Sequence, residues 1–146
     1  MKYKQTGPHA LIVGEAQSTY AENPAGLVDR ILAGLPVEEF DGLREMLGLS
    51  VDQMAAKIGI SVATLSRRRT RKQALDRDHS DRLMRYARLY WMAVNFFDGE
   101  TAAARNWLAS PARSLGGRSP SEFAETEIGA REVEDLIGRL EHGVYV

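Results

Sequence analysis

Leu83, Ala87, Tyr90, Val94 and Phe97 recur at steps of four, three, four and three. That spacing lines apolar side chains along one face of an α-helix and along no face of a strand. Leu89, Trp91, Ala93 and Phe96 widen the face, so this long helix has to bury two sides, and other helices must cover it. It is expected to start near Asp78 or Ser80 and to end at Asp98-Gly99. Upstream, Leu27, Val28, Ile31 and Leu32 form a short helical pattern closed by Gly34. Phe40, Leu43, Met46 and Leu47 form another, with Pro36 in its first turn and Gly48 behind it. Downstream, Thr101 to Leu108 reads as a short helix, and Ser119 with Pro120 starts another through Phe123 and Ala124. A last helix is expected from about Gly129 to His142, burying Val133, Leu136, Ile137 and Leu140. Only the tail Val144-Tyr145-Val146 reads as extended. The fold class is all-α.

Nineteen Lys and Arg against twenty Asp and Glu leave a net charge of −1, but the charge is segregated. From Lys57 to Arg88 ten basic residues face three acidic ones, and from Pro120 to Val146 two basic residues face seven acidic ones. A basic middle and an acidic end imply two surfaces for two kinds of partner. The absence of cysteine excludes disulfide scaffolds, thiolate metal sites and cysteine nucleophiles. No apolar run approaches the roughly 20 residues that span a bilayer, so no membrane partner is expected. Met1 to Pro8 lacks the apolar core of a secretory signal, which makes the cytoplasm the expected compartment. Residues 1–24 read as a flexible arm docked only by Leu11-Ile12-Val13.

Residues 49–69 have the pattern of a helix-turn-helix. Ser50 is placed to cap a helix carrying Met54, Ala55 and Ile58, Gly59 supplies the positive φ of the turn, and Ser61 caps the second helix. Ala55 is small where two helices cross, and Ile60 and Leu65 are apolar where the unit must rest on a core. Ser61, Ala63, Thr64, Arg67 and Arg68 are expected to face outward at the end that reads base edges in this motif. An ordinary helical hairpin would satisfy the same apolar pattern. The run Arg67-Arg68-Arg69-Thr70-Arg71-Lys72 tips the reading to DNA, since arginine can fork onto guanine or clamp phosphate. The candidate DNA contacts are Ser61, Thr64, Arg67, Arg68, Arg69, Arg71 and Lys72. Arg82, Arg85 and Arg88 step along the long helix and read as a solvated face, or as ion pairs with Asp78 and Asp81.

Catalysis is not expected. His9, His79 and His142 stand at no metal-ligand spacing. Leu115-Gly116-Gly117-Arg118-Ser119 lacks the ending and the preceding strand of a phosphate loop, so its glycines read as a tight turn, with Arg118 paired to a nearby acid or at a dimer interface. No pair of carboxylates is set apart as acid and base, and no cofactor is implied. Trp91, Trp107, Phe96, Phe97 and Phe123 read as core or dimer interface.

Asn106-Trp107-Leu108-Ala109-Ser110-Pro111, Leu115-Gly116-Gly117-Arg118-Ser119-Pro120, Gly129-Ala130-Arg131-Glu132-Val133 and Leu136-Ile137-Gly138-Arg139-Leu140-Glu141-His142-Gly143 follow in that order. Together with the upstream helix-turn-helix, this series resembles the Xre/MbcA/ParS antitoxin family over about Leu27 to Val146. The resemblance implies an Xre/Cro-like helix-turn-helix region over residues 25–77, joined by the long helix to a helical toxin-binding and dimerisation domain over 78–146. It also implies a type II antitoxin that pairs with a RES-domain, NAD-depleting toxin, forms a homodimer, represses its own operator and obstructs the toxin's active-site cleft. The toxin-facing residues it points to are Arg131, Glu132, Glu134, Asp135, Arg139, Glu141, His142, Gly143, Val144, Tyr145 and Val146. A carboxylate on Val146 behind Tyr145 and Val144 would make a compact plug for a cationic nucleotide site. Alternatively the acidic positions are the solvated face of the last helix. The competing function is a stand-alone helix-turn-helix regulator that dimerises and has no toxin partner.

Overall fold

A computed structural model describes residues 23–143. Most of the N-terminal arm, including Leu11-Ile12-Val13, and the tail Val144, Tyr145 and Val146 lie outside the described residues. Those described form eight α-helices, a single 3₁₀ turn and no strand: α1 (Pro24–Ala33), α2 (Val37–Leu47), α3 (Val51–Ile58), α4 (Val62–Thr70), α5 (Arg77–Phe96), α6 (Thr101–Ala109), the 3₁₀ turn Arg113–Leu115, α7 (Pro120–Phe123) and α8 (Glu127–Glu141). The chain divides after Ala87, within α5, into two compact units.

In the first unit, α1 is capped by Asn23, whose side chain accepts from the Gly26 N–H at 3.0 Å. Gly34 ends the helix at φ 93°, where an added Cβ would lie 2.3 Å from the Leu75 carbonyl oxygen. That close approach is bonded in place, since the Leu75 N–H donates to Leu35 O at 2.8 Å and the Leu35 N–H donates to Ser80 Oγ at 2.8 Å. Of the four apolar positions expected on α1, Leu27 is buried but Val28 and Leu32 are exposed. Only one narrow stripe of this short helix meets the core. Pro36 precedes α2 as its N-cap and does not enter the first turn. Phe40, Leu43 and Met46 of α2 are buried with Met54, Ile58, Leu65 and Leu83.

The long helix begins at Arg77, because Asp76 Oδ1 caps it by accepting from the His79 N–H at 2.8 Å. Leu83, Ala87, Tyr90 and Val94 are buried along one face and Met84, Tyr86, Leu89 and Ala93 along the flanks, the two-sided burial its spacing requires. In the second unit, Ala104, Leu108, Leu115, Ala124, Ala130, Val133, Leu136 and Ile137 are buried. Burial raises the Tyr90 phenol above its ordinary pKa, opposed by Arg105, and its ring meets Trp91 edge-on at 5.2 Å. Ser119 Oγ accepts from the Glu122 N–H at 3.1 Å. Thr126 Oγ1 accepts from the Gly129 N–H at 3.0 Å, so α8 starts at Glu127, ahead of the glycine.

Candidate functional site

Two local devices build the helix-turn-helix. Ser50 and Gln53 form a reciprocal capping box, the Gln53 N–H donating to Ser50 Oγ at 3.1 Å and the Ser50 N–H to Gln53 Oε1 at 2.9 Å. Gly59 then takes φ 73°, and the Ile60 N–H reaches back to Ala55 O at 3.0 Å, closing α3 in the left-handed cap that favours glycine. Arg82 donates from Nη1 to Ile58 O at 3.1 Å, and His79 Nε2 stands 3.3 Å from Gly59 O. The expectation of a solvated or Asp-paired Arg82 is therefore corrected: its guanidinium satisfies an orphan carbonyl at the C-terminus of α3. Arg88, read as solvated or paired with Asp78 or Asp81, pairs with Glu134 of α8.

On α4, Ser61 Oγ accepts from the Thr64 N–H at 3.0 Å and its hydroxyl donates to Thr64 Oγ1 at 2.8 Å. The two hydroxyls stand together at the exposed N-terminus of the helix. Buried Leu65 orients α4, and the 100° step per residue sends Ala63, Arg67 and Thr70 to the opposite side and Ser66 to the flank, all four exposed. Ser66 and Thr70 are the positions sequence reasoning omitted, and helical phase relative to Leu65 is the signal that identifies them.

The basic run splits according to that phase. Arg67, Arg71 and Lys72 are exposed, with no bonded partner among the described residues. Arg68, expected to face outward, is half-buried and donates from Nη1 to Ala74 O at 2.6 Å. It lies one step round the helix toward Leu65 and holds the chain that leaves α4. Arg69 forks onto Asp41 of α2, with Nη1 to Oδ2 at 2.7 Å and Nη2 to Oδ1 at 2.9 Å. Those hydrogen bonds raise the Arg69 pKa further above its ordinary value. Such planar bidentate pairing fixes geometry and ties the end of α4 to α2.

On α8 the core stripe is Ala130, Val133, Leu136 and Ile137. Arg131, Glu132 and Asp135 are exposed, as are Glu141, His142 and Gly143 at the C-terminal end. Arg131 lies 3.5 Å from Glu127 one turn away. Glu134 is half-buried against Arg88, and Arg139 is half-buried with its Nε sequestered. Among the described residues, the predicted partner positions thus fall into an exposed set and a pair turned toward the protein, while Val144, Tyr145 and Val146 lie outside those described. Arg118 is exposed on the loop before α7. The described residues contain no helix long and apolar enough to cross a membrane, and no group of three residues able to hold a metal ion.

A family model described as the antitoxin Xre-like helix-turn-helix domain matches residues 26–88. A second, described as the antitoxin Xre/MbcA/ParS C-terminal toxin-binding domain, matches residues 92–143. Antitoxin Xre of Yersinia enterocolitica is 40% identical over 119 residues, covering 82% of this chain and 80% of its own length. Antitoxin Xre of Photorhabdus laumondii is 35% identical over 111 residues, covering 76% and 75%. Antitoxin Xre of Pseudomonas putida is 36% identical over 84 residues, covering 58% and 52%. All three relatives are named antitoxins. With a helix-turn-helix followed by a toxin-binding region, the chain belongs to the Xre/MbcA/ParS antitoxin family.

Proposed function

We propose that the chain neutralises a RES-domain toxin that depletes NAD and, as a two-fold homodimer in the cytoplasm, binds and represses its own operator. The observation that carries this reading is one chain holding both an exposed basic face on and just after α4, where Arg67, Arg71 and Lys72 have no bonded partner among the described residues, and a region matched to a toxin-binding domain. Residues 25–77 serve the DNA and residues 78–146 serve the toxin and the dimer. Thr64 and Arg67 read bases beside Ser61, and Arg71 and Lys72 meet flanking phosphates, each adding about 0.9 to the log–log salt slope. Arg68 and Arg69 position the helix from behind. On the toxin side, Arg131, Glu132, Asp135 and the segment from Glu141 onward cover the active-site cleft, with Glu134 and Arg139 supporting α8 beneath them.

Inducing the adjacent open reading frame alone is expected to arrest growth and lower cellular NAD. Co-expression of the full chain restores both, whereas a chain lacking residues 143–146 does not. Growth unaffected by a well-expressed neighbour would leave a stand-alone regulator instead. One short helix spans too few base pairs for a unique site, so a dimer on a palindromic operator is required. Light scattering at micromolar concentration should return twice the 16.2 kDa chain mass; the mass of one chain would contradict the dimer.

A further inference from the structure

Ile128 is 78% exposed, more than any other large apolar side chain among the described residues. Folding gives no reason for isoleucine there. The position faces away from the core stripe of α8, and a β-branched side chain is a poorer helix former than alanine or glutamate. The junction of α7 and α8 holds it in place: an added Cβ on Gly129 would sit 1.6 Å from Phe123 O, so the backbones touch and Ile128 cannot rotate inward. Beside it lies a hollow of about 360 Å³ lined by Phe123, Ile128 and Gly129 and rimmed by Glu122, Glu125 and Glu132. Among the described residues Arg118 is the one cation lining it, so the hollow sets an apolar wall against an acidic border.

We infer that this hollow is a second anchor for the toxin, at the opposite end of α8 from the C-terminal tail, and that it takes a partner segment bearing a lysine or arginine beside an aliphatic or aromatic side chain. The inference rests on the toxin-binding reading above. Charge complementarity selects the partner, since the Glu122 and Glu132 carboxylates beside an apolar wall repel an acidic surface and receive a basic one. Geometry adds to it. At 1.5 Å per residue, Ile128 lies about 20 Å along α8 from His142, so a toxin engaged by the tail and lying along the exposed Glu132 and Asp135 reaches the hollow. Two separated anchors would hold the tail in the cleft more firmly than the tail alone.

The test measures binding of the purified full-length chain to the purified toxin from the adjacent reading frame, by calorimetry or interferometry at two salt concentrations. Wild type, Ile128→Asp, Glu122→Lys and a chain lacking residues 143–146 are compared. Ile128→Asp should weaken binding about ten-fold or more, as loss of an apolar anchor does, while far-ultraviolet helicity and melting temperature are retained. Glu122→Lys should weaken it too, with the larger effect at low salt. Wild-type affinity in both variants overturns the second anchor and leaves the toxin reading intact, whereas no binding by wild type overturns the toxin reading itself. If Ile128→Asp abolishes the homodimer but leaves toxin affinity per chain unchanged, the face belongs to a second copy and the inference is wrong.

Discussion

Gly129→Ala should lower the stability of the C-terminal unit by about 3 kcal/mol or more, the upper end of what overpacking costs. The added Cβ would lie 1.6 Å from the Phe123 carbonyl oxygen and 2.7 Å from its carbon. Both are backbone atoms, which cannot swing aside as a side chain does. Moving them would break the turn in which the Phe123 N–H donates to Ser119 O at 2.9 Å and the Ala124 N–H to Pro120 O at 3.0 Å. It would also disturb the buried Ala124 and Ala130. Domains are stable by only about 5–15 kcal/mol, so a loss of this size should appear as a large fall in the urea midpoint. Gly138→Ala in the same helix is the control. Its Cβ would meet nothing within 4 Å, and alanine should stabilise by up to about 1 kcal/mol through helix propensity. Equal midpoints for the two variants would refute the packing account.

Arg67→Ala is the second large effect: specific operator binding should be lost while fold and dimer persist. A bidentate arginine–guanine contact is worth about 1–3 kcal/mol of discrimination, and the proposed two-fold dimer would lose it at both half-sites. The neighbouring arginines cannot compensate, because Arg68 is bonded to Ala74 O and Arg69 is forked onto Asp41. Arg67 is exposed and plays no part in the core, so circular dichroism should be unchanged. A gel-shift titration at one fixed salt concentration tests it. Affinity for the operator equal to wild type would remove Arg67 from the recognition face.

Much of the fold was legible because the bonds that announce it are short in sequence. The Ser50, Ser61 and Ser119 caps and the glycine stops at Gly34, Gly48 and Gly59 each join residues within five positions of one another. The periodic face of α5 is likewise a property of the helix itself. Thr126 escaped notice although its cap is just as local, since the conspicuous signal there was Gly129, three residues later.

The ordered motifs of the second half identified the family without any knowledge of contacts. Local patterns along the chain are thus enough to specify the helices, their order, the helix-turn-helix and the family. Tertiary structure decided which side chains remain available. Arg69 meets Asp41 across 28 positions, Arg82 meets Ile58 across 24, and Arg88 meets Glu134 from a different helix. Residues adjacent in a basic run have the same composition signal, but each is rotated 100° from the last, and only the placement of neighbouring helices settles which guanidinium finds a carboxylate or carbonyl. The same holds for Ile128 and Gly129. One is left in solvent and the other pressed onto Phe123 O, because burial depends on what a side chain packs against and local sequence does not specify that.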